Sequence, residues 1–318
     1  MTTEKEYSSK VGLEHRKKYA QFFTPEFIAD FMADWILRDN PTCQKILEPA
    51  FGLGVFSRSI LKAKSQIEIT GYDIDDRVIS VAKNNFSSKS ETVSINKIDS
   101  LESSWNDKYD GIICNPPYLK FHDYDHGRYI PQVNRHLGTN LNGFTNIYTL
   151  FLLKSIAQLK EGGRLAYIIP SEFLNSDYGV EVKRSLLQSG TLQHLIIVDF
   201  TECAFDDALT TACILFCQKD KSNHDIRFST IKDVSTLSSA LTDYVSYNTS
   251  ELDAEIRWKQ YYEATSSSKY QNLVPFSTFA KVTRGIATGA NEFFTFKISR
   301  LDNYNISDEC VLPCICHA

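Results

Sequence analysis

The amino-acid sequence predicts an α/β protein built on a doubly wound, mainly parallel, seven-stranded sheet. Short apolar runs alternate with amphipathic stretches from residue 45 to residue 200, as strand–helix–strand units require. Glycines or acidic residues stand where several of these runs end, the place at which a parallel sheet opens into a crevice. A chain of 318 residues, 42% hydrophobic and 23% charged, suits one large domain and a smaller one.

Residues 1–15 are polar and of mixed charge and read as a flexible lead-in, with the main domain expected over residues 16–265. Thr24 followed by Pro25 marks a helix start, with Thr as cap and Pro in the first turn. Phe27, Ile28, Phe31, Met32, Trp35 and Ile36 then recur at helical spacing. Strands are expected at 45–47, 67–72, 92–95, 111–114, 165–169 and 195–200, with helices at 55–63, 77–84, 146–159 and 180–188. A seventh strand, 210–217, follows the sixth after too short a link for a crossover helix, so it should run antiparallel. Past residue 219 polar stretches take over, with one short strand at 226–231. A linker near 265–269 sets off residues 266–318 as the beginning of a second, incomplete domain.

The most apolar runs, such as 195–198 and 214–217, are too short to cross a bilayer, and no N-terminal signal is evident, so a cytoplasmic location without membrane contact is expected. Eight cysteines without a closely spaced framework read as reduced and buried. A net charge of -5 excludes a uniformly basic nucleic-acid binder and confines any such contact to a local cleft.

The first strand ends in Glu48-Pro49-Ala50-Phe51-Gly52-Leu53-Gly54. Glycines there let the backbone approach a ligand, and the acid can accept hydrogen bonds from a cationic or hydroxyl-bearing one. Asp73 ends the second strand, roughly 25 residues later, where nucleotide-binding folds place the carboxylate that holds ribose hydroxyls; Asp75 or Asp76 is instead suited to capping the next helix. Asp99 follows the third strand and can accept from an adenine amino group. The fourth strand runs into Asn115-Pro116-Pro117-Tyr118. Two prolines stiffen that turn, so the Asn115 amide and the Pro116 carbonyl are held toward the cleft. Two fixed acceptors can hold both protons of an exocyclic amino group, aim its lone pair and stabilise developing positive charge, while Tyr118 offers a flat surface.

Taken in this order, the motifs resemble those of N6-adenine-specific DNA methyltransferases of restriction-modification systems, the gamma class, in which a cofactor segment precedes the glycine-rich motif. The likeness runs from Tyr19 through the rest of the chain. It implies a class I S-adenosylmethionine-dependent methyltransferase fold, S-adenosylmethionine as cofactor and double-stranded DNA as partner. Residues 19–25 resemble the family's cofactor segment, which implies contacts from Tyr19, Phe23, Thr24 and Pro25. Residues 47–54 resemble its first motif, adding Glu48, Ala50, Gly52 and Gly54. Asp73 with Ile74, and Asp99 with Ser100, fall at the ribose and adenine motifs, and Asn115 to Tyr118 at the catalytic motif, with Asn115 also at the cofactor. Residues 162–170 resemble a later turn and strand, and Phe205 with Thr210-Thr211-Ala212 resembles the segment that stacks on the target base. Phe51 departs from the pattern, since relatives often carry a small residue there.

The resemblance implies that a target adenine leaves the duplex and enters a pocket walled by Tyr118 and Phe205. The sulfonium methyl is already electrophilic, so neither a metal nor a covalent intermediate is needed. Lys120, His122, Tyr124, His126, Arg128, Tyr129, Arg135 and His136 read as a loop that covers phosphates and a displaced base. Cys310, Cys314, Cys316 and His317 lack the paired Cys-x-x-Cys spacing of a zinc knuckle. Residues 282–294 resemble the opening of a recognition domain; only about two dozen residues follow, so a specificity subunit or a longer chain is expected to complete sequence reading. An RNA or protein-glutamine amino-methyltransferase and a catalytically silent DNA- or cofactor-binding subunit are the competing readings. Cytosine N4 is a further acceptor, although its turn usually begins with Ser.

Overall fold

Both faces of the central strands are apolar, which buries them between two layers of helices. In the strand 109–114, Ile112 and Cys114 pack into one core and Ile113 into the other. The computed structural model describes residues 3–198, 211–220 and 225–263, together with 274, 276–281, 291–295, 297 and 307–311. Helices α1 (Thr3–Lys10), α2 (Leu13–Lys18) and α3 (Glu26–Leu37) precede β1 (Lys45–Glu48). Then come α4 (Val55–Ala63), β2 (Glu68–Asp73), α5 (Asp76–Asn85), β3 (Val93–Lys97) and β4 (Tyr109–Cys114). They are followed by α6 (His126–Leu137), α7 (Ile147–Ala157), β5 (Leu159–Pro170), α8 (Gly179–Ser189), β6 (Leu192–Val198), β7 (Ala212–Gln218), β8 (Ile226–Ile231) and β9 (Val245–Tyr247).

The sheet order is β3-β2-β1-β4-β5-β7-β6-β8-β9. Strands β3, β2, β1, β4 and β5 pair in parallel, and β7 runs antiparallel to both β5 and β6. The winding reverses between β1 and β4. Crossovers then leave to opposite sides, and a crevice opens at the carboxyl ends of these two strands. Helix α7 lies in the core with Ile147 to Ile156 buried throughout, as an apolar helix must. Contacts divide the chain into two compact units, Met1–Thr265 and Ser266–Ala318. In the second, the described residues include the short helix Asn291–Phe294, whose Phe293 and Phe294 rings meet edge to face at 5.0 Å.

Several expectations need correction. The segment read as a flexible lead-in forms α1 and α2. Tyr7 is buried beside Leu53 and Val78, and Glu4 pairs with Arg58. Thr24 does not cap α3; Pro25 occupies that position without a side-chain bond, and the Thr24 hydroxyl is turned elsewhere. The stretch read as a covering loop contains α6, started by Asp125 accepting from the Arg128 amide and stopped by Gly138 at φ 68°. Among the described residues the sheet has nine strands, not seven, because β8 pairs in parallel with β6, β9 adds to β8, and the edge that β6 would leave open is covered. Among the described residues no helix is long and apolar enough to cross a membrane.

Phe51, the departure noted above, packs inward. A Cβ on Gly71 would lie 2.1 Å from its Cδ2, so the bare strand at Gly71 makes the space that the ring fills. Gly71→Ala should therefore overpack this layer and lower unfolding stability by about 1–3 kcal/mol. Adding Phe51→Leu should recover part of that loss in denaturant titrations, whereas strictly additive costs would show that the two positions do not compete for the same volume.

Candidate active site

Each strand end at the crevice contributes a polar group, and the backbone around it is built to hold that group still. After β1, Gly52 and Gly54 take φ of 55° and 77°, a region open to glycine at little cost. Glu48 is buried at the strand tip; its Oε2 accepts from the Ser57 amide at 3.1 Å and from the Ser57 hydroxyl, while Oε1 is buried without a partner among the described residues. Burial pushes this carboxyl up to about 8, opposed by the Ser57 hydrogen bonds. A carboxyl raised above its ordinary 4.5 adds stability at low pH that is lost as pH rises toward 8. Glu48→Gln, which cannot ionise, should therefore gain stability relative to the wild type as pH is raised through this window. A stability difference independent of pH in chemical melts would contradict a proton held on Glu48.

At the end of β2, Asp73 braces the glycine turn. Its Oδ2 accepts from the Gly52 amide at 2.9 Å and its Oδ1 from the amides of Ile74 and Asp75 at 2.8 and 3.0 Å. A carboxylate has about four acceptor positions, so these three bonds leave one free. Burial raises its pKa and the three amides oppose that. Asp75 acts differently. It caps α5 through the Arg77 amide and accepts from His15 Nε2 at 2.7 Å and Gln21 Nε2 at 2.6 Å. The segment before α3 is thereby tied to the end of β2.

After β3, Asp99 accepts from the Leu101 amide at 3.0 Å and from the Tyr129 hydroxyl of α6 at 2.6 Å. The loop is held from beneath by Lys154 of α7, whose buried ammonium donates to the carbonyls of Ser100 and Ser103 at 2.7 Å and Leu101 at 3.1 Å. Burial lowers the Lys154 pKa to about 8. Sequence reasoning missed this residue, although it is the one charged residue in the stretch 147–157, which was its signal.

At the end of β4, Asn115 Nδ2 donates to the Phe22 carbonyl at 2.9 Å and to Thr24 Oγ1 at 3.0 Å. Its Oδ1 is buried without a partner among the described residues. The Tyr118 hydroxyl donates to the Ile168 carbonyl at 3.2 Å, and one face of the ring stacks on Phe22 at 5.8 Å. Phe22 was not anticipated.

A cleft of about 320 Å³ joins these strand ends. Tyr19, Phe23, Thr24, Glu48, Ala50, Gly52, Asp73, Ile74, Asp99, Ser100, Asn115 and Pro117 lie on its wall. Gly54, Pro25, Pro116 and Tyr118 do not line it. Tyr124 and Tyr129 from the stretch read as a cover do, as do Leu119, Ile147 and Phe151. Phe205 and Thr210 lie outside the described residues, as do Cys314, Cys316 and His317; Cys310 is exposed.

A crevice at the β1/β4 switch, glycines after β1, acids after β2 and β3, and an antiparallel β7 define a class I S-adenosylmethionine-dependent methyltransferase fold. The same fold is seen in the methyltransferase subunit of a type I restriction-modification system from Streptococcus thermophilus, at TM-score 0.65 and 17% identity over 76% of this chain and 59% of that one. A putative class I S-adenosylmethionine-dependent methyltransferase from Listeria monocytogenes matches at TM-score 0.56 and 18% identity, covering 73% of this chain and 72% of its own. Residues 53–205 match the Eco57I restriction-modification methylase family. The chain is 52% identical to the type II methyltransferase M.AccI of Acinetobacter calcoaceticus over 99% of its own length and 60% of the relative's. It is 27% identical to M.HincII of Haemophilus influenzae over 62% of its length and 36% of that relative's. This chain is a relative of the type II restriction-modification methyltransferases, and it spans only part of the length of each.

Proposed function

We propose that this chain transfers a methyl group from S-adenosylmethionine to the N6 amino group of a flipped adenine in double-stranded DNA, as the modification enzyme of a restriction-modification system. The observation that carries the reading is the unpartnered, buried Oδ1 of Asn115 at the end of β4. An orphaned acceptor in a folded interior costs free energy unless a ligand supplies the donor, and an exocyclic amino group is such a donor. Asn115 Oδ1 can accept one of the amino protons, help to hold the nitrogen lone pair out of conjugation and stabilise positive charge as the new bond forms.

The cleft fits the cofactor by the same reasoning. Glu48 Oε1, also buried and unpartnered, suits the cofactor's ammonium, whose charge would favour the ionised carboxylate over the neutral form that burial alone favours. The free acceptor position on Asp73 suits a ribose hydroxyl, and Asp99 retains acceptor capacity beside Tyr129 for an adenine amino group. Tyr19, Phe23 and Ile74 provide apolar walls. When bound, the cofactor supplies a methyl group already activated by sulfonium charge. The protein's own work is then orientation, charge stabilisation and exclusion of water. Phe205 remains our candidate for the base-stacking residue, and residues 266–318 for the start of a recognition domain completed by further chain or a specificity subunit.

The test is transfer of tritiated methyl from S-adenosylmethionine to duplex DNA, ribosomal RNA and protein offered separately. Label in DNA supports the reading. Label confined to RNA or protein would replace it with another amino-methyltransferase, and cofactor binding without transfer to any acceptor would make the chain a binding subunit.

A further inference from the structure

We infer that Thr24 is a positioning residue for methyl transfer: with the Phe22 carbonyl, its hydroxyl sets the Asn115 carboxamide so that Oδ1 is the atom presented to the acceptor nitrogen. The inference rests on the methyl-transfer reading above. A backbone carbonyl can only accept a hydrogen bond, so the atom of Asn115 that faces the Phe22 oxygen at 2.9 Å must be Nδ2. Thr24 Oγ1, at 3.0 Å, takes the second amide proton. Both donors are then committed, and Oδ1 is the polar atom left without a partner on a residue of the cleft wall.

The alternative orientation shows what is at stake. The terminal torsion of asparagine is broad, so the amide is not held by its own rotamer preference. Turned over, it would set Oδ1 against the Phe22 oxygen, acceptor to acceptor, and aim two N–H donors at an amino group that also donates. Thr24 is only 4% exposed, so solvent has little access to replace its hydroxyl. The segment that carries it is itself anchored, through His15 and Gln21 on Asp75 and through Phe22 stacked on Tyr118. The cleft wall at residues 19–24 and the amide at the end of β4 therefore form one hydrogen-bonded unit.

Thr24→Val removes the acceptor at nearly constant volume, and Thr24→Ser keeps it. At saturating cofactor and DNA, Thr24→Val should lower kcat on the order of tenfold to a hundredfold, the cost of a misplaced catalytic group. Thr24→Ser should recover most of that rate, and calorimetric cofactor affinity should fall far less than kcat. In the cofactor-free protein, nitrogen-15 spectra should show faster hydrogen exchange of the Asn115 side-chain amide in Thr24→Val than in the wild type. Its resonance is assigned by its loss in Asn115→Ala. If Thr24→Val proves unfolded by its spectrum, Thr24→Ala replaces it. Unchanged amide exchange with unchanged kcat, or a rate loss fully reversed by more cofactor, would overturn the inference and leave Thr24 as an ordinary cofactor contact. If the wild type methylates no DNA, the reading of function fails, while amide exchange still decides whether Thr24 holds Asn115.

Discussion

Asn115→Ala should lower the single-turnover rate of methyl transfer on the order of a hundredfold to a thousandfold, the usual cost of removing one preorganised polar contact to developing charge. The loss is expected in the chemical step, since Nδ2 is committed to the protein and Oδ1 has no protein partner among the described residues. Cofactor affinity should change much less, although the Phe22 carbonyl and Thr24 hydroxyl both lose a donor. Asn115→Asp offers an instructive contrast. It retains an acceptor toward the cleft but sets a second oxygen against the Phe22 carbonyl, so it should also be impaired. Rapid-quench measurement that finds more than about half of the wild-type rate in Asn115→Ala would remove this residue from the mechanism.

Asp73→Ala should weaken S-adenosylmethionine binding by about 1.5–3 kcal/mol, or roughly tenfold to 150-fold in Kd, the range for a hydrogen bond to a charged group. Two effects act together. One is loss of the free acceptor position for a ribose hydroxyl; the other is release of the Gly52, Ile74 and Asp75 amides that this carboxylate gathers. Asp73→Asn keeps one acceptor oxygen for those amides and should be milder. Calorimetry that finds unchanged affinity in Asp73→Ala would place the ribose contact on another group.

The parallel half of the sheet was legible because its strands are buried on both faces and read as short apolar runs between helical patterns. The helix 55–63 and the strand 226–231 match the expected limits. Strand ends were legible too, since glycine and acidic residues mark the carboxyl ends of the first three strands. Helix α6 was missed because Gly127 and Pro131 interrupt it and its exposed face is charged and polar, even though Asp125 and Gly138 mark its two ends. The N-terminal helices were missed for a related reason: apart from Tyr7 and Leu13 they are polar or charged, and their hold comes from distant partners, Asp75 and Arg58, that no local pattern reveals. Lys154 acts through three carbonyls of a loop some 50 residues earlier, and Thr24 through a side chain 91 residues away. Such pairings exist only once the chain has folded.

The measurement closest to the central claim is nucleoside analysis of duplex DNA after reaction with the purified chain and tritiated S-adenosylmethionine. The account predicts label in N6-methyladenine, lost in Asn115→Ala while cofactor binding persists. Label in N4-methylcytosine, or adenine methylation that survives the loss of Asn115, would contradict it.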